Sequence, residues 1–412
     1  MRFVKLTGLA LTVFQCGFAA TPWLHVDGNK IKDPLGNKVV LRGVSLQAIS
    51  NINVPMVLDL VTNTADKASS SPGWYTRIVR MPNLGNAGNW TQYNQNTLKP
   101  AIDYATKKGL YAIIDLHYVD NTDAHVTDVN NFWTTVAPVY KDYSNVIFEP
   151  YNEPINQSQS WSQFKPTMQA WVDLIRKYAP NNLIFVGSPL WSQKMGDAST
   201  DPLKGDNIVY VVHMYSGHFA TQWNRDQVRQ CVAVHPMVCT EWGFKAGLNW
   251  GPNETVSGYG KGILNWFDTL GVSWTAWCAD DSWDPTMFNN GNPWTLRVGE
   301  GEMGGFVKDW LYTYRDSSQP SVGTAVHQTK NQSAAIRSID AQEHNGALTL
   351  TMRIDDHYAV QVVGPNGETC IQDCQNGNTL TLNAGLLARG IYIIKVAGKK
   401  SAGNEQVIWI KK

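Results

Sequence analysis

Short apolar runs alternate with longer amphipathic stretches over most of the chain. Eight runs rich in β-branched residues predict buried strands; in chain order they are VVLRGVSL, TRIVRMP, GLYAIIDLH, NVIFEPYNEP, NLIFVGSPLW, NIVYVVHMY, PMVCTEWGF and VSWTAWCADD. The stretches between most of them, such as QNTLKPAIDYATKKG and WSQFKPTMQAWVDLIRKYAP, carry apolar residues at helical spacing. Eight strand–helix units in about 300 residues predict an α/β fold of the (β/α)8 TIM-barrel type.

The amino-acid composition changes after the last predicted unit of the barrel. Ser, Gln, Pro and Thr dominate 317–335, a composition typical of a linker. The segments GALTLTMRI, YAVQVVGPNGETC, NTLTLNAG, GIYIIKVAG and QVIWIKK then alternate apolar and polar positions with a period of two. They predict a small antiparallel β-sandwich after the barrel, with GPNGE as a hairpin turn.

The N-terminus has the pattern of a secretory signal peptide. Arg2 and Lys5 precede an apolar run that ends at Phe14 and is too short to span a bilayer, and small residues follow it. A lipidated Cys16 is the weaker alternative, because Gln15 stands where a small residue is expected. We therefore expect a secreted protein, extracellular or on the cell surface. Its predicted parts are a signal peptide (1–20), a catalytic barrel domain (21–316), a linker (317–335) and a β-sandwich module (336–412).

The composition favours an uncharged partner. Lys and Arg total 34, Asp and Glu total 34, and charged residues make up 17% of the 412, so neither a basic surface for nucleic acid nor a polybasic membrane contact is indicated. No later segment is apolar for long enough to span a membrane. Seventeen tryptophans and sixteen tyrosines offer flat faces that can stack on sugar rings, although core packing is their commoner use. We expect a monomer with no nucleic-acid partner.

Five cysteines follow the predicted signal peptide. Cys231 with Cys239, and Cys370 with Cys374, are spaced as short-loop disulfides of an oxidising compartment, which leaves Cys278 over. A metal site is disfavoured because no histidine cluster has the matching spacing. HYVDNTDAH and CADDSWD also lack further ligands of fixed geometry, so no metal and no cofactor is expected.

Side chains with chemical functions stand at the ends of the predicted strands. In (β/α)8 barrels the carboxyl ends of the strands form the active-site face. The pattern therefore predicts one site that gathers the following residues: Arg80, His117, Asn152, Glu153, His213, Tyr215, Glu241 and Trp277.

Glu153 and Glu241 end the predicted fourth and seventh strands. Cleavage of a glycosidic bond needs one carboxyl group that protonates the leaving oxygen and a second that attacks or stabilises the anomeric carbon. Two glutamates on opposite sides of a barrel mouth meet that requirement, and a structural glutamate paired with Arg80 is the alternative. Glu149, four residues before Glu153, is expected to be structural, low in the barrel wall and paired with a basic or hydroxyl neighbour.

These residues resemble the motifs of glycoside hydrolase family 5, the cellulase and β-mannanase family of retaining (β/α)8 enzymes. NEP at Asn152–Pro154 is similar to the family's acid/base motif and TEWG at Thr240–Gly243 to its nucleophile strand, while VLRGVSL, VRMP, DLH, HMY and TAW match its other strands. The resemblance spans residues 23–315. It implies Glu153 and Glu241 as catalytic residues, and as substrate-binding residues Arg80, His117, Asn152, His213, Tyr215 and Trp277.

The implied roles place physical demands on the site. Glu153 must hold a proton, so a partly apolar setting and the charge of Glu241 should raise its pKa. Arg80 and the hydroxyl of Tyr215 would hold Glu241 ionised. Retention of configuration requires the carboxyl groups to lie about 5 Å apart, and Asn152 would bind the sugar 2-hydroxyl.

Histidines and tryptophans would complete the sugar-binding surface. His117 and His213 would bind sugar hydroxyls or tune the carboxylates, and Trp277 would offer its face to the sugar next to the cut. Further platforms are expected among the tryptophans in or near predicted loops, which are Trp191, Trp223, Trp242, Trp250, Trp283 and Trp294.

The resemblance implies a secreted retaining endo-β-1,4-glycanase whose substrate is a β-1,4-linked plant polysaccharide or oligosaccharide. TAWCADDSWDPTMF departs from the W-x-x-x-x-K loop of many cellulases of the family and places Asp280, Asp281 and Asp284 near the glycone subsites. This departure favours β-mannan or glucomannan, hence an endo-β-1,4-mannanase, with an endo-β-1,4-glucanase as the alternative. The alternative of another class is a non-catalytic carbohydrate-binding barrel; a triad hydrolase is disfavoured because no G-x-S-x-G motif occurs.

The C-terminal module has three interpretations: a stabilising β-domain, a carbohydrate-binding module, or an attachment module. ARGIYIIKVAG and QVIWIKK resemble the C-terminal sorting modules of some gliding and fibre-degrading bacteria. Tyr358, Tyr392 and Trp409 would form a sugar-binding face, although aromatic residues at such period-two positions more often belong to a core. Structural packing is favoured.

Overall fold

The computed structural model describes residues 21–63, 73–321, 340–344, 347–363, 369–385, 387, 390–398 and 404–411. The predicted signal peptide, most of the predicted linker and the predicted GPNGE turn lie outside these residues. The chain divides into two compact units between Gly323 and Thr324. Within the described ranges, no helix is both long enough and apolar enough to cross a bilayer.

Eight parallel strands close into a barrel in the first unit, which confirms the predicted (β/α)8 fold. Each strand pairs with its neighbours in chain order, and the eighth pairs with the first to close the ring. Seven of the eight predicted runs contain one of these strands in full, and the run TRIVRMP contains all but the last two residues of the second strand. They are β1 (Arg42–Ser45), β2 (Ile78–Leu84), β3 (Tyr111–His117), β4 (Val146–Glu149), β5 (Ile184–Val186), β6 (Ile208–His213), β7 (Met237–Trp242) and β8 (Ser273–Ala276).

Helices alternate with the barrel strands. The longer ones are Val54–Val61, Lys99–Lys107, Val126–Tyr140, Trp161–Arg176, Gln222–Val232, Lys261–Leu270 and Met303–Thr313. Single turns are Trp90–Tyr93, Asn94–Leu98, Thr122–Ala124, Pro189–Ser192, Gly196–Ser199, Ser216–Ala220 and Val256–Gly260. In the helix that follows β4, Ser160 and Gln163 form a reciprocal capping box, and Phe164, Met168 and Ile175 lie on its buried face.

A three-stranded antiparallel sheet precedes the barrel and was not predicted. It consists of His25–Asp27, Lys30–Lys32 and Lys38–Val39. Ile31 and Val39 share a buried cluster with residues near the starts of the barrel strands, such as Ile78 and Val209. The sheet therefore covers the amino ends of the strands and leaves their carboxyl ends as the open mouth. Its strands are too short to produce a recognisable period-two pattern.

The second unit is an antiparallel sheet with its own core, which confirms the predicted antiparallel β-module. Leu348 and Leu350 lie on its buried face. Tyr392 is also buried in this core, so it does not contribute to an exposed sugar-binding face, while the side chains of Tyr358 and Trp409 lie outside the described residues. The strands are Asp340–His344, Ala347–Val363, Thr369–Asn383, Gly390–Gly398 and Asn404–Lys411.

The two predicted disulfides were wrong. Cys231 and Cys239 are free, buried thiols, one on the helix before β7 and the other in β7 itself. Cys370 and Cys374 lie in a single strand. Four residues of extended chain span about 13 Å, whereas the Cα atoms of a disulfide lie within about 7 Å of each other. The spacing of Cys370 and Cys374 was interpreted as a loop, but both residues lie in one extended strand.

Replacing Gly43 by Ala is expected to destabilise the barrel. A Cβ at this position of β1 would lie 1.8 Å from the carbonyl oxygen of Ile78, so strands β1 and β2 would have to separate. We expect a loss of about 1–3 kcal/mol in the free energy of unfolding, measured by urea titration with tryptophan fluorescence. Gly262→Ala is the matched control, because its Cβ would make only an ordinary contact with Phe219. Equal destabilisation of the two variants would contradict this packing argument.

Candidate active site

Arg80 is fully buried inside the barrel and contacts three carboxylates. Its Nε lies 2.7 Å from Glu149 Oε2, its Nη2 lies 3.0 Å from Asp115 Oδ2, and its Nη1 lies 2.7 Å from Glu241 Oε1. The sequence placed Arg80 at a strand end, which was wrong: β2 continues to Leu84, because the regular pairing with β3 extends beyond the apolar run. One guanidinium thus joins acids from β3, β4 and β7.

Acidic groups outnumber cations in this cluster, and this excess affects the protonation of the acids. Burial raises the pKa of Asp115 to about 7, although the charge of Arg80 acts against it. Burial also raises the pKa of Glu149. Burial lowers the pKa of Arg80, but the charges of the three acids outweigh this effect and raise it well above its usual range. Arg80 therefore stays charged, and at neutral pH Asp115 carries a proton in a part of the molecules.

Glu241 accepts hydrogen bonds at both carboxylate oxygens. Arg80 Nη1 donates to Oε1 at 2.7 Å and the Tyr215 hydroxyl donates to Oε2 at 3.0 Å. These are the two partners expected from the sequence. The register between β6 and β7 shifts between Val212 and His213, beside Glu241, and such irregularities re-aim side chains. The carboxylate is therefore held in one orientation at the mouth of the barrel.

Glu153 lies beyond the end of β4, on a separate ladder of two short strands. Val119–Asp120 pairs in parallel with Glu153–Pro154, and the Glu153 backbone N–H donates to the carbonyl of Tyr118 at 3.0 Å. Its side chain is the less buried of the two glutamates and reaches His213, whose Nδ1 lies 2.7 Å from Glu153 Oε1. The segment after β3 thus positions this carboxyl group.

The two glutamates lie close together in different surroundings. Carboxylate oxygens of Glu153 and Glu241 and a ring nitrogen of His213 lie within 4.8 Å of one another. Burial raises the pKa of Glu153 to about 7, against the charge of Arg80 and against that of His117 when its ring is protonated. The charge of Glu241, which we expected to contribute, is not among the causes. The separation is close to the ~5 Å that a double displacement requires.

His213 continues the hydrogen-bonded chain into the barrel. Burial lowers its pKa to about 4, so the ring is neutral at neutral pH. Its Nε2 lies 2.9 Å from Thr240 Oγ1, and the Thr240 hydroxyl donates to Glu149 Oε1 at 2.8 Å. Glu149 is therefore the structural acid expected from the sequence, and it has both a basic partner, Arg80, and a hydroxyl partner.

Thr240 was missed by the sequence analysis. In a regular strand, neighbours point to opposite faces, so the residue before Glu241 would face away from the site. The register between β7 and β8 shifts between Cys239 and Trp242, and this irregularity lets Thr240 and Glu241 both reach the cluster. No periodic signal in TEWG indicates such a shift.

Asp115 was also missed, although a signal for it exists. It precedes His117 by two residues in β3, so both side chains share one face of the strand. Asp115 Oδ2 lies 2.7 Å from His117 Nδ1, and burial lowers the pKa of His117 to about 4. The His117 ring stacks on Trp277, with planes 1° apart and centroids 5.5 Å apart. Asp115 therefore orients a ring that supports the tryptophan.

Asn152 is buried between Arg80 and the backbone. Its Oδ1 accepts a hydrogen bond from Arg80 Nη2, and its Nδ2 donates to the carbonyl oxygen of Tyr118 at 3.3 Å. A side-chain amide nitrogen carries two hydrogens, so one remains for another acceptor.

The remaining tryptophans divide between core and mouth. Trp242 is fully buried, so it is not a platform. Trp283 lies with its centroid 5.8 Å from that of Trp277. Trp250 is 46% exposed and stands edge-on to Tyr215 at 5.1 Å. Trp283 therefore extends the aromatic surface of Trp277, and Trp250 extends that of Tyr215.

Two acids of the segment after β8 are engaged within the protein. Asp280 is buried and accepts hydrogen bonds from the Trp283 backbone N–H at 2.6 Å and from Gln47 Nε2 at 2.8 Å. Asp284 forms an ion pair with Lys245 at 2.7 Å. These contacts order the loop that carries Trp283.

Glu153, His213 and Glu241 are also, in the part of the chain that the structure describes, the one group with the spacing of metal ligands. Both oxygens of Glu241 already accept hydrogen bonds, and the nearest nitrogen of His213 faces Glu153 at hydrogen-bond distance. The arrangement is that of a proton-handling cluster.

Comparison with known proteins identifies the family. A profile described as Cellulase (glycosyl hydrolase family 5) matches residues 33–282, which is more than half of the chain. The chain belongs to glycoside hydrolase family 5. The resemblance inferred from NEP and TEWG is thereby confirmed, and so is the prediction of a glycoside hydrolase.

Relatives of this family 5 hydrolase are endoglucanases. The endoglucanase of Clostridium saccharobutylicum is 28% identical over 377 residues, which cover 88% of this chain and 79% of the relative. Endoglucanase N of Pectobacterium atrosepticum is 28% identical over 325 residues, covering 75% of this chain and 68% of the relative. The solved structure of cellulase Cel5C_n is 26% identical with a TM-score of 0.60, and covers 71% of this chain and 93% of that one.

Replacing Arg80 by Met is expected to lower the unfolding free energy of this hydrolase by about 3–5 kcal/mol at neutral pH, because three buried carboxylates lose their cation. The loss should shrink as the pH falls. Asp115 and Glu149 have raised pKa values in the folded state. The charge of Arg80 lowers both pKa values in the parent, so its removal raises them further, and acidification favours the folded state more strongly in the variant than in the parent. Urea unfolding near pH ~7.5 and near pH ~5 measures this difference.

Lys99→Met is the control for this substitution. Its ammonium group pairs with Asp103 at the surface, with the lysine side chain 42% exposed, and its loss should change stability by less than about 1 kcal/mol. If Arg80→Met lost the same free energy at both pH values, the electrostatic explanation would fail.

Proposed function

We propose that this protein is a secreted endo-β-1,4-glucanase that retains anomeric configuration, with Glu153 as acid/base and Glu241 as nucleophile. The observation that carries the proposal is the pair of carboxyl groups at the barrel mouth. Their oxygens approach within 4.8 Å, and their surroundings differ as the two roles require. Glu241 receives two hydrogen-bond donors, whereas Glu153 faces a neutral histidine.

In the first step Glu241 attacks the anomeric carbon while the bond to the leaving oxygen breaks. The proton of Glu153 passes to that oxygen, and a covalent glycosyl ester of Glu241 remains. Arg80 and Tyr215 hold the attacking carboxylate in place, so little reorganisation accompanies the reaction.

In the second step water attacks the anomeric carbon and the ester bond to Glu241 breaks. Glu153, now a carboxylate, takes the proton of the attacking water and returns to its starting state. A pKa of about 7 suits both directions of transfer, because neither the acid nor its conjugate base is strongly disfavoured near neutral pH.

The sugar next to the cut would lie on the exposed part of Trp277, which is 7% exposed whereas Trp242 is fully buried. Apolar faces of pyranose rings pack on aromatic rings, and the stack with His117 supports this one. The free hydrogen of the Asn152 amide would bind the sugar 2-hydroxyl. Trp283 and Trp250 would carry sugars farther along the chain on either side.

The choice of glucan over mannan rests on relatives and on the loop after β8. The relatives that match most of this chain are endoglucanases. The mannan prediction relied on polar residues of that loop binding an axial 2-hydroxyl, with Asp280, Asp281 and Asp284 as its acids. Two of these acids are engaged within the protein, Asp280 by Gln47 and the Trp283 backbone and Asp284 by Lys245. A glucan, whose hydroxyls are all equatorial, makes no such demand. The mannan prediction is therefore not carried forward.

Secretion is proposed from the signal-peptide pattern of residues 1–20 and from the polymeric substrate, which cannot enter a cell. The domain limits 21–316, 317–335 and 336–412 are proposed on the change in sequence texture. For the C-terminal unit we propose a stabilising role, since Tyr392, one of its three candidate sugar-binding aromatics, is buried.

Glu241→Gln is expected to abolish hydrolysis of every substrate. Glu153→Ala should spare the release of dinitrophenol from dinitrophenyl β-cellobioside, whose leaving group needs no proton, but should slow hydrolysis of the glycosyl enzyme, which needs the base. Azide should restore turnover of Glu153→Ala on that substrate, because it attacks the glycosyl enzyme without a base. Initial rates measure the loss of hydrolysis and its rescue by azide. The anomeric form of the first product shows whether configuration is retained. Asp142→Asn, at a side chain 80% exposed, is the control. Residual activity of Glu241→Gln above a few per cent would overturn the nucleophile assignment.

Carboxymethyl-cellulose is expected to be a better substrate than galactomannan by about tenfold or more in kcat/KM, since an axial hydroxyl cannot occupy sites shaped for an equatorial one. Reducing-sugar release from these two polymers, glucomannan, xyloglucan and xylan measures the preference. Faster hydrolysis of galactomannan would return the assignment to mannanase. Binding without release from any polymer would indicate a non-catalytic barrel.

A further inference from the structure

We propose that Thr240 and Glu149 act as positioning residues that select one tautomer of His213 and thereby keep the acid proton on Glu153. This inference rests on the proposed function for its catalytic meaning, but the tautomer itself is a property of the resting protein. It assigns a task to two buried side chains that do not contact the substrate in the mechanism above.

The four side chains form one continuous hydrogen-bonded row. Glu153 Oε1 lies 2.7 Å from His213 Nδ1, His213 Nε2 lies 2.9 Å from Thr240 Oγ1, and Thr240 Oγ1 lies 2.8 Å from Glu149 Oε1. His213, Thr240 and Glu149 are fully buried, so the two inner links of the row are shielded from solvent. The row runs from the barrel mouth to the wall beneath it.

The inner end of the row sets the direction of every hydrogen bond in it. Burial raises the pKa of Glu149, but the charge and the hydrogen bonds of Arg80 act against this effect. Arg80 directs two N–H groups at Glu149, with Nε 2.7 Å from Oε2 and Nη2 3.3 Å from Oε1, and this geometry favours the ionised carboxylate. An ionised carboxylate only accepts. The single hydroxyl hydrogen of Thr240 is therefore directed to Glu149, and Thr240 Oγ1 is left as an acceptor toward His213.

The consequence passes along the row to the acid. His213 Nε2 must carry the hydrogen that Thr240 accepts, and a neutral imidazole has only one such hydrogen. Nδ1 therefore presents a lone pair to Glu153. A hydrogen bond of 2.7 Å between them requires a hydrogen, which only a protonated Glu153 supplies. The row thus places the proton on the group that must donate it.

The same arrangement acts after the proton has left. Once Glu153 has given its proton to the leaving oxygen, its carboxylate faces the lone pair of Nδ1, which disfavours the anion. This raises its basicity toward the incoming water, from which the proton returns.

The charged groups around His213 oppose one another. Glu241 Oε2 lies 3.6 Å from Nδ1, and Glu149 acts in the same direction, whereas Arg80 and His117 disfavour a charged ring. Burial outweighs the acids and lowers the pKa of His213 to about 4. The His213 ring therefore stays neutral during proton transfer. Its tautomer decides whether Nδ1 presents a lone pair or an N–H group to Glu153.

Nitrogen NMR of histidine-labelled full-length protein tests the tautomer directly, with the His213 signal assigned by its loss in His213→Gln. At neutral pH the parent should show a protonated Nε2 and an unprotonated Nδ1. Thr240→Val removes the acceptor and should shift His213 toward the Nδ1–H form, whereas Thr240→Ser keeps the hydroxyl and should retain the parent signal. A parent with Nδ1 protonated, or a Thr240→Val spectrum equal to that of the parent, would refute the proposal.

Kinetics tests the catalytic meaning. An Nδ1–H would donate to Glu153 and stabilise its carboxylate, so Thr240→Val should lower kcat/KM on carboxymethyl-cellulose by about tenfold or more. The same variant should keep most of the parent kcat/KM on dinitrophenyl β-cellobioside, because that quantity reports the first step, which needs no proton for this substrate. On carboxymethyl-cellulose, the alkaline limb of its pH profile of kcat/KM should move to lower pH. Thr240→Ser should restore all three values. Equal losses on both substrates would assign Thr240 a merely structural part.

The two hypotheses fail in distinguishable ways. If Glu241→Gln or Glu153→Ala contradicts the acid/base assignment, the tautomer of the parent still shows whether the row is directed as proposed. If Thr240→Val does not fold, the parent spectrum and Thr240→Ser decide the question.

Discussion

The pairing of one buried guanidinium with three carboxylates is the interaction on which the site depends. Arg80 ties together Asp115, Glu149 and Glu241, which come from three different strands of the barrel. Desolvation of buried charges cancels much of their attraction, so such a network contributes little net stability while it fixes geometry strongly. Because no lysine and no other arginine pairs with these acids among the described residues, the guanidinium is their shared permanent cation and determines where each carboxylate points.

The two catalytic candidates differ because the network reaches them unequally. Glu241 bonds directly to Arg80 and is supplied with donors at both oxygens. Glu153 meets the same cluster only through His213, and burial dominates its protonation. The two glutamates thus differ in hydrogen bonding and protonation although they lie within a few ångströms of each other. The difference comes from neighbouring side chains that lie deeper in the barrel.

Much of the architecture could be predicted from the sequence, because each barrel strand is a buried apolar run and the helices between them have clear periodicity. The contacts that decide the chemistry were harder. The side chain of Thr240 reaches the site through a shift in strand register, which leaves no trace in residue order. Asp115 followed from simple alternation and was overlooked beside His117. The cysteine pairs failed because spacing along a chain does not give distance in space.

The ladder that carries Glu153 has a further consequence. Glu241 belongs to a wall strand bonded on both sides, whereas Glu153 rests on two residues paired with Val119–Asp120. The backbone segment that carries Glu241 is therefore more extensively hydrogen-bonded than the segment that carries Glu153. Changes in the segment after β3 can alter the gap between the carboxyl groups without disturbing the barrel, and that gap distinguishes direct attack by a carboxylate from attack through an intervening water. In the proposed mechanism, retention of configuration depends on a short connection outside the closed sheet.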